Sequence, residues 1–357
     1  MEGPIAILGA TGFLGSNVAQ LIQKNDRNVE VREWVPFVSP DSSCSHKLEL
    51  FVGEKQIEDC LNGVKLIINC HEARDLSLNP KLEVLAEHNE NFVALVRKLN
   101  PCPFVHVSTV LVQCSNFWPN VFEPERDGAK YSSRWPCKAY CKSKLLAEQA
   151  SFSANDDVIV LRIPFLYGEG DTGSIVTDAI LFADYFGSQI PNIGDRGGAF
   201  QMAYVRNIAQ GIEDVATKLL AGEFNKREIM IMADDTRIGD PYSTILEPYA
   251  KNPKRPLSPV TLPFLPLYYV YLLITWLLLL VNRLVNIGEF LAKLPDPSLL
   301  YLVFHHWTFF NTNKASFLLP KHLNIDREFV DKISRTHYNC LIPSELKASW
   351  TLKIDNE

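Results

Sequence analysis

Pro4-Ile5-Ala6-Ile7-Leu8 runs straight into Gly9-Ala10-Thr11-Gly12-Phe13-Leu14-Gly15, and this junction decides the fold. A short apolar run of this kind fits a strand buried on both faces, as in a parallel sheet covered by helices. Glycines at 9, 12 and 15 permit a tight turn and let backbone amides approach a ligand, just before a helix read over residues 16–24. Unpaired N–H groups and the positive end of the helix dipole favour a pyrophosphate there. A glycine run alone is a common turn. Its place between an apolar strand and a helix is the context that dinucleotide binding requires, with Gly9, Thr11, Gly12, Phe13, Leu14 and Gly15 as the cradle.

Outward from that turn, short apolar runs alternate with helical patterns. Strands are expected at 5–8, 29–34, 48–52, 66–70, 104–107 and 158–163, with helices at 82–99 and 140–152. That rhythm predicts an α/β fold, a Rossmann-type doubly wound parallel sheet. A loop rich in Pro, Ser and charge covers 115–136. After Gly168 the pattern loosens, with helices at 175–186 and 207–220 and strands at 202–205 and 228–232. The division expected is a dinucleotide-binding Rossmann domain over 1–167, with return elements near 200–232. A smaller C-terminal substrate lobe follows over 168–357, including an apolar membrane-associating segment at about 260–294.

A hydrophobic share of 47% and only 18 glycines suit a packed globule, and a net charge of −6 gives no sign of a nucleic-acid partner. The eight cysteines are scattered without a CxxC pair, so they read as reduced thiols, and no metal site is expected. The first strand begins almost at Met1, so no cleaved secretory leader is expected. The catalytic lobe is therefore expected to face a reducing, cytosolic-type compartment.

In Ala139-Tyr140-Cys141-Lys142-Ser143-Lys144, the phenol of Tyr140 and the ammonium of Lys144 share one helix face. Tyr-x-x-x-Lys is a frequent accident, and a surface tyrosine beside a solvated lysine is its plain explanation. Position changes that reading: the pair lies about thirty residues after a strand that carries Ser108 and Thr109. A hydroxyl, a phenol and an ammonium can then converge at the carboxyl edge of the sheet, where open α/β folds bind ligands. A phenolate there would take the proton of a substrate alcohol while hydride leaves the carbinol carbon. The phenol's pKa of about 10 must fall for this, and Lys144 is expected to lower it.

The GxxGxxG spacing resembles the extended branch of the short-chain dehydrogenase/reductase superfamily. Within it the chain resembles the 3β-hydroxysteroid dehydrogenase/Δ5-4 isomerase family from about Pro4 to the 330s. The likeness rests on Gly9–Gly15, Phe104-Val105-His106-Val107-Ser108-Thr109, Tyr140 to Lys144 with Leu145-Leu146-Ala147-Glu148, Tyr167-Gly168-Glu169-Gly170, Ala203-Tyr204-Val205-Arg206-Asn207 and Ala233-Asp234-Asp235-Thr236. The resemblance implies oxidation of the 3β-hydroxyl of a steroid or sterol to a 3-ketone, with a Δ5-to-Δ4 shift as an added step for which no base identifies itself. It implies Tyr140 as acid/base, Lys144 tuning it and binding the nicotinamide ribose, and Thr109, rather than Ser108, holding the substrate oxygen. The cofactor implied is NAD, with NADP open. The alternatives are a decarboxylating sterol-4-carboxylate 3-dehydrogenase and a catalytically silent dinucleotide-bound scaffold or sensor.

Several positions depart from the family pattern. Val35 stands where NAD-preferring relatives commonly have an aspartate, and Glu33 and Arg32 lie nearby. Glu54, after Gly53, takes the place of an aspartate that approaches the adenine. His71 replaces a small residue beside the cofactor, where it either crowds the site or points away. It reads more simply as a hydrogen-bonded strand-end histidine than as a catalyst. Asn91 matches the family's helix asparagine in a structural role.

Between Val260 and Val281 there is no charged residue. About 20 apolar residues can cross a bilayer, but a single crossing would strand the following segment, which resembles a return to the substrate lobe. An in-plane or hairpin attachment is therefore expected, with Tyr268, Tyr271 and Trp276 available to the interface; a buried lid is the alternative. The partners expected are a steroid or sterol and membrane lipid, and a homodimer is compatible. The setting expected is the cytosolic side of the endoplasmic reticulum, with the mitochondrion as the alternative.

Overall fold

Each central strand sends alternate side chains into two separate cores, which is why its sequence is mostly apolar on both faces. Ile5, Ile7, Leu66, Ile68, Val105, Val107, Ile159 and Leu161 pack on one face, while Ala6, Leu8, Ile67, Phe104, Val158 and Val160 pack on the other. A computed structural model describes residues 3–25, 30–34, 54–126, 131–154, 157–185, 187, 189–194, 196–224, 227–240, 242–250, 255–318 and 325–354. Its main sheet has six parallel strands in the order Glu228–Ile231, Val158–Ile163, Phe104–Thr109, Leu66–Asn69, Ile5–Leu8 and Val31–Trp34. The order reverses at Ile5–Leu8, between Leu66–Asn69 and Val31–Trp34, so the glycine turn sits at the crevice where ligands bind such sheets. The doubly wound α/β reading holds. The strand expected at 48–52, and the positions of Val35 and Gly53, lie outside the described residues.

Two helices differ from expectation. The first runs Phe13–Asn25, three residues earlier than read, because Gly12 N–H donates to Gly9 O at 3.0 Å and Ser16 N–H to Gly12 O at 3.0 Å. Gly15 therefore lies in the first turn. The helix expected at 82–99 is interrupted by a π turn, Glu87–Asn91, between Leu82–Ala86 and Phe92–Leu99. The widened turn presents Asn89 inward, where its amide donates to Ala73 O at 2.9 Å and Ser143 Oγ at 3.0 Å and accepts from Ala73 N at 2.8 Å. Asn91, the residue matched by resemblance, is exposed.

The second lobe is assembled from distant segments. Leu257–Pro263 pairs with Ile190–Gly194, and the apolar helix Phe264–Leu284 follows, with Pro263 as its N-cap and Pro266 in its first turn, where the missing N–H costs nothing. This helix is long and apolar enough to cross a membrane, and little of it is buried. One flank lies along the lobe: Phe264 stacks near Phe304 with ring centroids 5.7 Å apart, Tyr268 meets Tyr301 at 5.3 Å, and the Tyr271 hydroxyl donates to Pro295 O at 2.6 Å.

Because Ile68 is fully buried in the central strand, Ile68→Ala should cost about 2–5 kcal/mol. A denaturation midpoint equal to that of the unmodified protein would contradict this packing.

Candidate active site

Positive backbone angles mark where the glycine turn meets the next strand. Gly9 has φ +78°, and a Cβ there would lie 2.8 Å from the backbone of His71; a Cβ at Gly15 would lie 2.0 Å from Gly9 O. The turn is thus packed backbone on backbone, and beyond it opens a cavity of about 580 Å³ lined by Thr11–Ser16, Cys70, Glu72, Val107, Ser108, Thr109 and Tyr140. Bare amides at the N-terminus of a 13-residue helix, facing such a cavity, fit a dinucleotide pyrophosphate. Glu54 begins the helix Glu54–Leu61.

After Leu66–Asn69 the extended chain alternates its side chains. Cys70 and Glu72 face the cavity, whereas His71 turns to the opposite side, edge-on to Phe92 at 4.7 Å and 5.8 Å from His88. His71 therefore does not crowd the cavity. Burial first, then the neighbouring His88 and Lys144, push its pKa down to about 3, so it is neutral.

Tyr140 and Lys144 lie on the helix Lys138–Ser151, preceded by Cys137 in a left-handed conformation (φ 41°, ψ 58°) whose N–H donates to Ser298 Oγ at 3.2 Å. That bond ties the helix start to the apolar lobe. The direct phenol–ammonium arrangement expected from their spacing is replaced by one through a carboxylate. Tyr140 donates to Glu72 Oε2 at 2.9 Å, and Lys144 Nζ lies 3.2 Å from the same oxygen while donating to Val107 O at 3.0 Å. Burial and the Glu72 charge push the phenol's pKa well above its ordinary value, the reverse of the expected fall. Sequence reasoning does not single out Glu72, because it lies 68 positions from Tyr140 and only its alternation with His71 along the extended chain hints at its direction.

The two candidate hydroxyls part company. Ser108 donates to Glu148 Oε1 at 2.6 Å, within a buried pair in which Arg162 grips Glu148 at 2.9 and 2.7 Å. Thr109 ends the strand, accepts from Leu111 N–H at 3.3 Å and lines the cavity beside Tyr140. The structure thus gathers Thr109, Tyr140 and the glycine turn around one space, while Lys144 is buried behind its wall and reaches it through Glu72.

A second cavity, of about 510 Å³, adjoins the first and shares Arg74, Phe165, Leu166 and Gly173 with it. Its wall is mostly apolar and includes Ile190, Ile193, Met202, Leu246, Phe264, Leu267, Tyr268, Tyr271 and Trp350. At the wall of the first cavity, Lys353–Ile354 pairs antiparallel with Ala73–Arg74. Burial, with Arg74 adding to it, lowers the Lys353 pKa to about 8. The pairing of so short a C-terminal strand carries no periodic signal in sequence.

The fold has many solved relatives. MoeE5, in complex with UDP-glucose and NAD, superposes with a TM-score of 0.63 at 15% identity, covering 93% of this chain and 98% of that one. A dTDP-4-dehydrorhamnose reductase from Bacillus anthracis, in complex with NADP, gives 0.62 at 15% identity, covering 93% and 99%. In sequence, a probable low-salt glycan biosynthesis reductase of Haloferax volcanii is 28% identical over 179 residues, 48% of this chain; the chain spans about half, 56%, of that relative's length. Residues 6–229, well over half of the chain, match the 3-beta hydroxysteroid dehydrogenase/isomerase family, and the chain belongs to that family.

Proposed function

We propose that the protein is a membrane-associated oxidoreductase that uses NAD or NADP to oxidise the 3β-hydroxyl of a sterol or steroid to a ketone. One observation carries the substrate class: the cavity at Tyr140 shares a wall with an apolar cavity that is lined in part by the exposed apolar helix. Its size lies within the range of small-molecule sites, ~300–1,000 Å³. A nucleotide sugar brings two phosphate charges, and only Arg74 and Lys293 among the residues lining the apolar cavity are cationic. A fused hydrocarbon ring system suits that wall better.

The nicotinamide, when bound, supplies the hydride acceptor. The glycine turn would hold its pyrophosphate by backbone amides, and Lys144 lies beside Tyr140 on the same helix face to meet the nicotinamide ribose. Thr109 orients the substrate oxygen, and Tyr140 exchanges the proton of that oxygen. Apolar walls exclude water from the second cavity, which strengthens each polar contact at its mouth. Reduction of NAD or NADP by a panel of 3β-hydroxysterols in detergent micelles is the test. Dinucleotide binding without reduction across the panel would favour the silent scaffold instead.

A second reading, a sterol carrying a 4-carboxylate, draws on Arg74. Its guanidinium lines both cavities, and its Nε is buried without a hydrogen-bond partner among the described residues. A carboxylate next to the oxidised carbon would meet it, and carbon dioxide release during turnover separates this reading from the first.

The exposed helix supports in-plane attachment. Its flank follows the lobe from Phe264 to Leu279, which with Leu78 and Phe117 lines a groove, instead of projecting away from it. The catalytic lobe would then face the cytosol, in keeping with seven free cysteines among the described residues, and the endoplasmic reticulum is the membrane we favour. Exposed Leu273 and Leu280, both changed to Lys, should reduce co-flotation with phosphatidylcholine vesicles by at least about tenfold and leave dinucleotide binding intact. Undiminished flotation would rule this helix out as the anchor.

A further inference from the structure

Tyr140 spends its only proton on a carboxylate. With the phenol donating to Glu72 Oε2 at 2.9 Å, its oxygen can only accept from a substrate hydroxyl. Glu72 is held in that place from two sides. Lys144 Nζ lies 3.2 Å from the same oxygen, and the segment after Glu72 is fixed by pairing of Ala73 with Ile354 and of Arg74 with Lys353. The Glu72 side chain is 27% exposed and lines the cavity, which gives a proton on it a way out.

We propose that Glu72 is the proton acceptor behind Tyr140, so that the phenol relays a proton and never has to ionise. The proposal rests on the reading that Tyr140 meets the hydroxyl being oxidised. As the carbinol C–H pair leaves as hydride for an oxidised nicotinamide, the carbinol O–H bond breaks and its electron pair completes the C=O bond. The freed proton bonds to the Tyr140 oxygen while the Tyr140 proton bonds to Glu72. The products are the ketone, the reduced nicotinamide and a protonated carboxyl, which then loses its proton to solvent through the cavity. With the departure of hydride, the carbinol oxygen becomes that of a protonated ketone, a strong acid. A carboxylate with a low pKa can therefore still receive the proton.

The charges around Glu72 keep it ready as a base. Burial opposes its ionisation, but Lys144 and Arg74, with hydrogen bonds from Tyr140 and Lys144, outweigh burial and hold its pKa below the ordinary value. Lys353 on the paired C-terminal strand pairs with Arg74, while His71 of the same segment and His106 of the Phe104–Thr109 strand, both neutral, feel Lys144. This arrangement answers a difficulty in the simpler scheme. A phenol that is buried and placed against an anion cannot supply phenolate at neutral pH, whereas a phenol between a hydroxyl and a carboxylate needs none. Glu72 is thus a positioning residue that acts through Tyr140.

Glu72→Gln keeps the size and a hydrogen-bond acceptor but cannot take the proton. In the full chain, kcat for a 3β-hydroxysterol at neutral pH should fall by at least about tenfold, with sterol KM and dinucleotide affinity little changed. Its rate should climb with pH as phenolate takes over, where the unmodified enzyme is flat, and Glu72→Asp should recover part of the loss. A second measurement needs no substrate: with 13Cζ-labelled tyrosine, assigned through Tyr140→Phe, the Tyr140 signal should remain that of a neutral phenol to about pH 10. In Glu72→Gln its titration should move down by more than about one pH unit. If the unmodified protein oxidises no sterol, the substrate reading falls and the tyrosine titration still judges the relay. Unchanged kcat and pH profile in Glu72→Gln, or a Tyr140 phenolate already present near neutral pH, would overturn the proposal.

Discussion

Tyr140→Phe is expected to lower sterol oxidation by at least about 100-fold while leaving dinucleotide affinity nearly intact. The phenol hydroxyl is the only group on the Lys138–Ser151 helix that both lines the catalytic cavity and carries an exchangeable proton toward Glu72. Its ring is buried and packs within the core, and Phe preserves that ring. The loss should therefore appear in kcat and spare folding. The backbone amides near Gly12 that would hold the pyrophosphate lie on a different element. A Phe variant with full activity would remove Tyr140 from the chemistry and leave Thr109 and Glu72 without the group that links them.

Arg162→Met should destabilise the protein by about 3–5 kcal/mol, the usual cost of stripping one partner from a buried ion pair. Arg162 and Glu148 are 0% and 3% exposed in their side chains, and Arg162 also donates to Gln113 Oε1 at 2.9 Å and to Arg126 O at 3.0 Å. Removing the guanidinium leaves a buried carboxylate with Ser108 as its remaining hydrogen-bond donor in this cluster, and two carbonyl-type acceptors unfilled. For a chain of this size the melting temperature should drop by roughly 5 °C. Adding Glu148→Gln should recover part of it, because the stranded charge is gone. A single variant that melts with the unmodified protein would show that the pair contributes little. The cluster also anchors Ser108, one residue before Thr109, so its loss should loosen the strand end at the cavity.

Legibility in the sequence followed the range of the forces involved. The strands at 5–8, 66–69 and 158–163 are readable because burial on both faces demands apolar runs, broken only at the polar Asn69 and Arg162 near the strand ends, and neighbouring residues alone satisfy that demand. The glycine turn was readable because backbone contact at Gly9 and Gly15 excludes every side chain. The first helix begins three residues before the start its apolar spacing suggests, because Gly15 sits within the helix and does not end the turn. The π turn at Glu87–Asn91 leaves no mark in a helical apolar pattern, yet it moves the inward asparagine from 91 to 89.

By itself the sequence determined the parallel sheet, the dinucleotide turn, the shared face of Tyr140 and Lys144, and an apolar stretch after residue 260. Each is a pattern among residues within one or two helical turns or along one strand, where spacing dictates direction. Tertiary structure decided the rest. It brought Glu72, 68 positions away, between the phenol and the ammonium, and withdrew Ser108 into an ion pair. It also laid Lys353–Ile354 beside Arg74 and set the cavity at Tyr140 against an apolar one lined in part by the exposed helix. These outcomes depend on which elements meet at the carboxyl edge of the sheet, and on the burial that turns one carboxylate into the partner of a phenol whose own proton is thereby held more tightly.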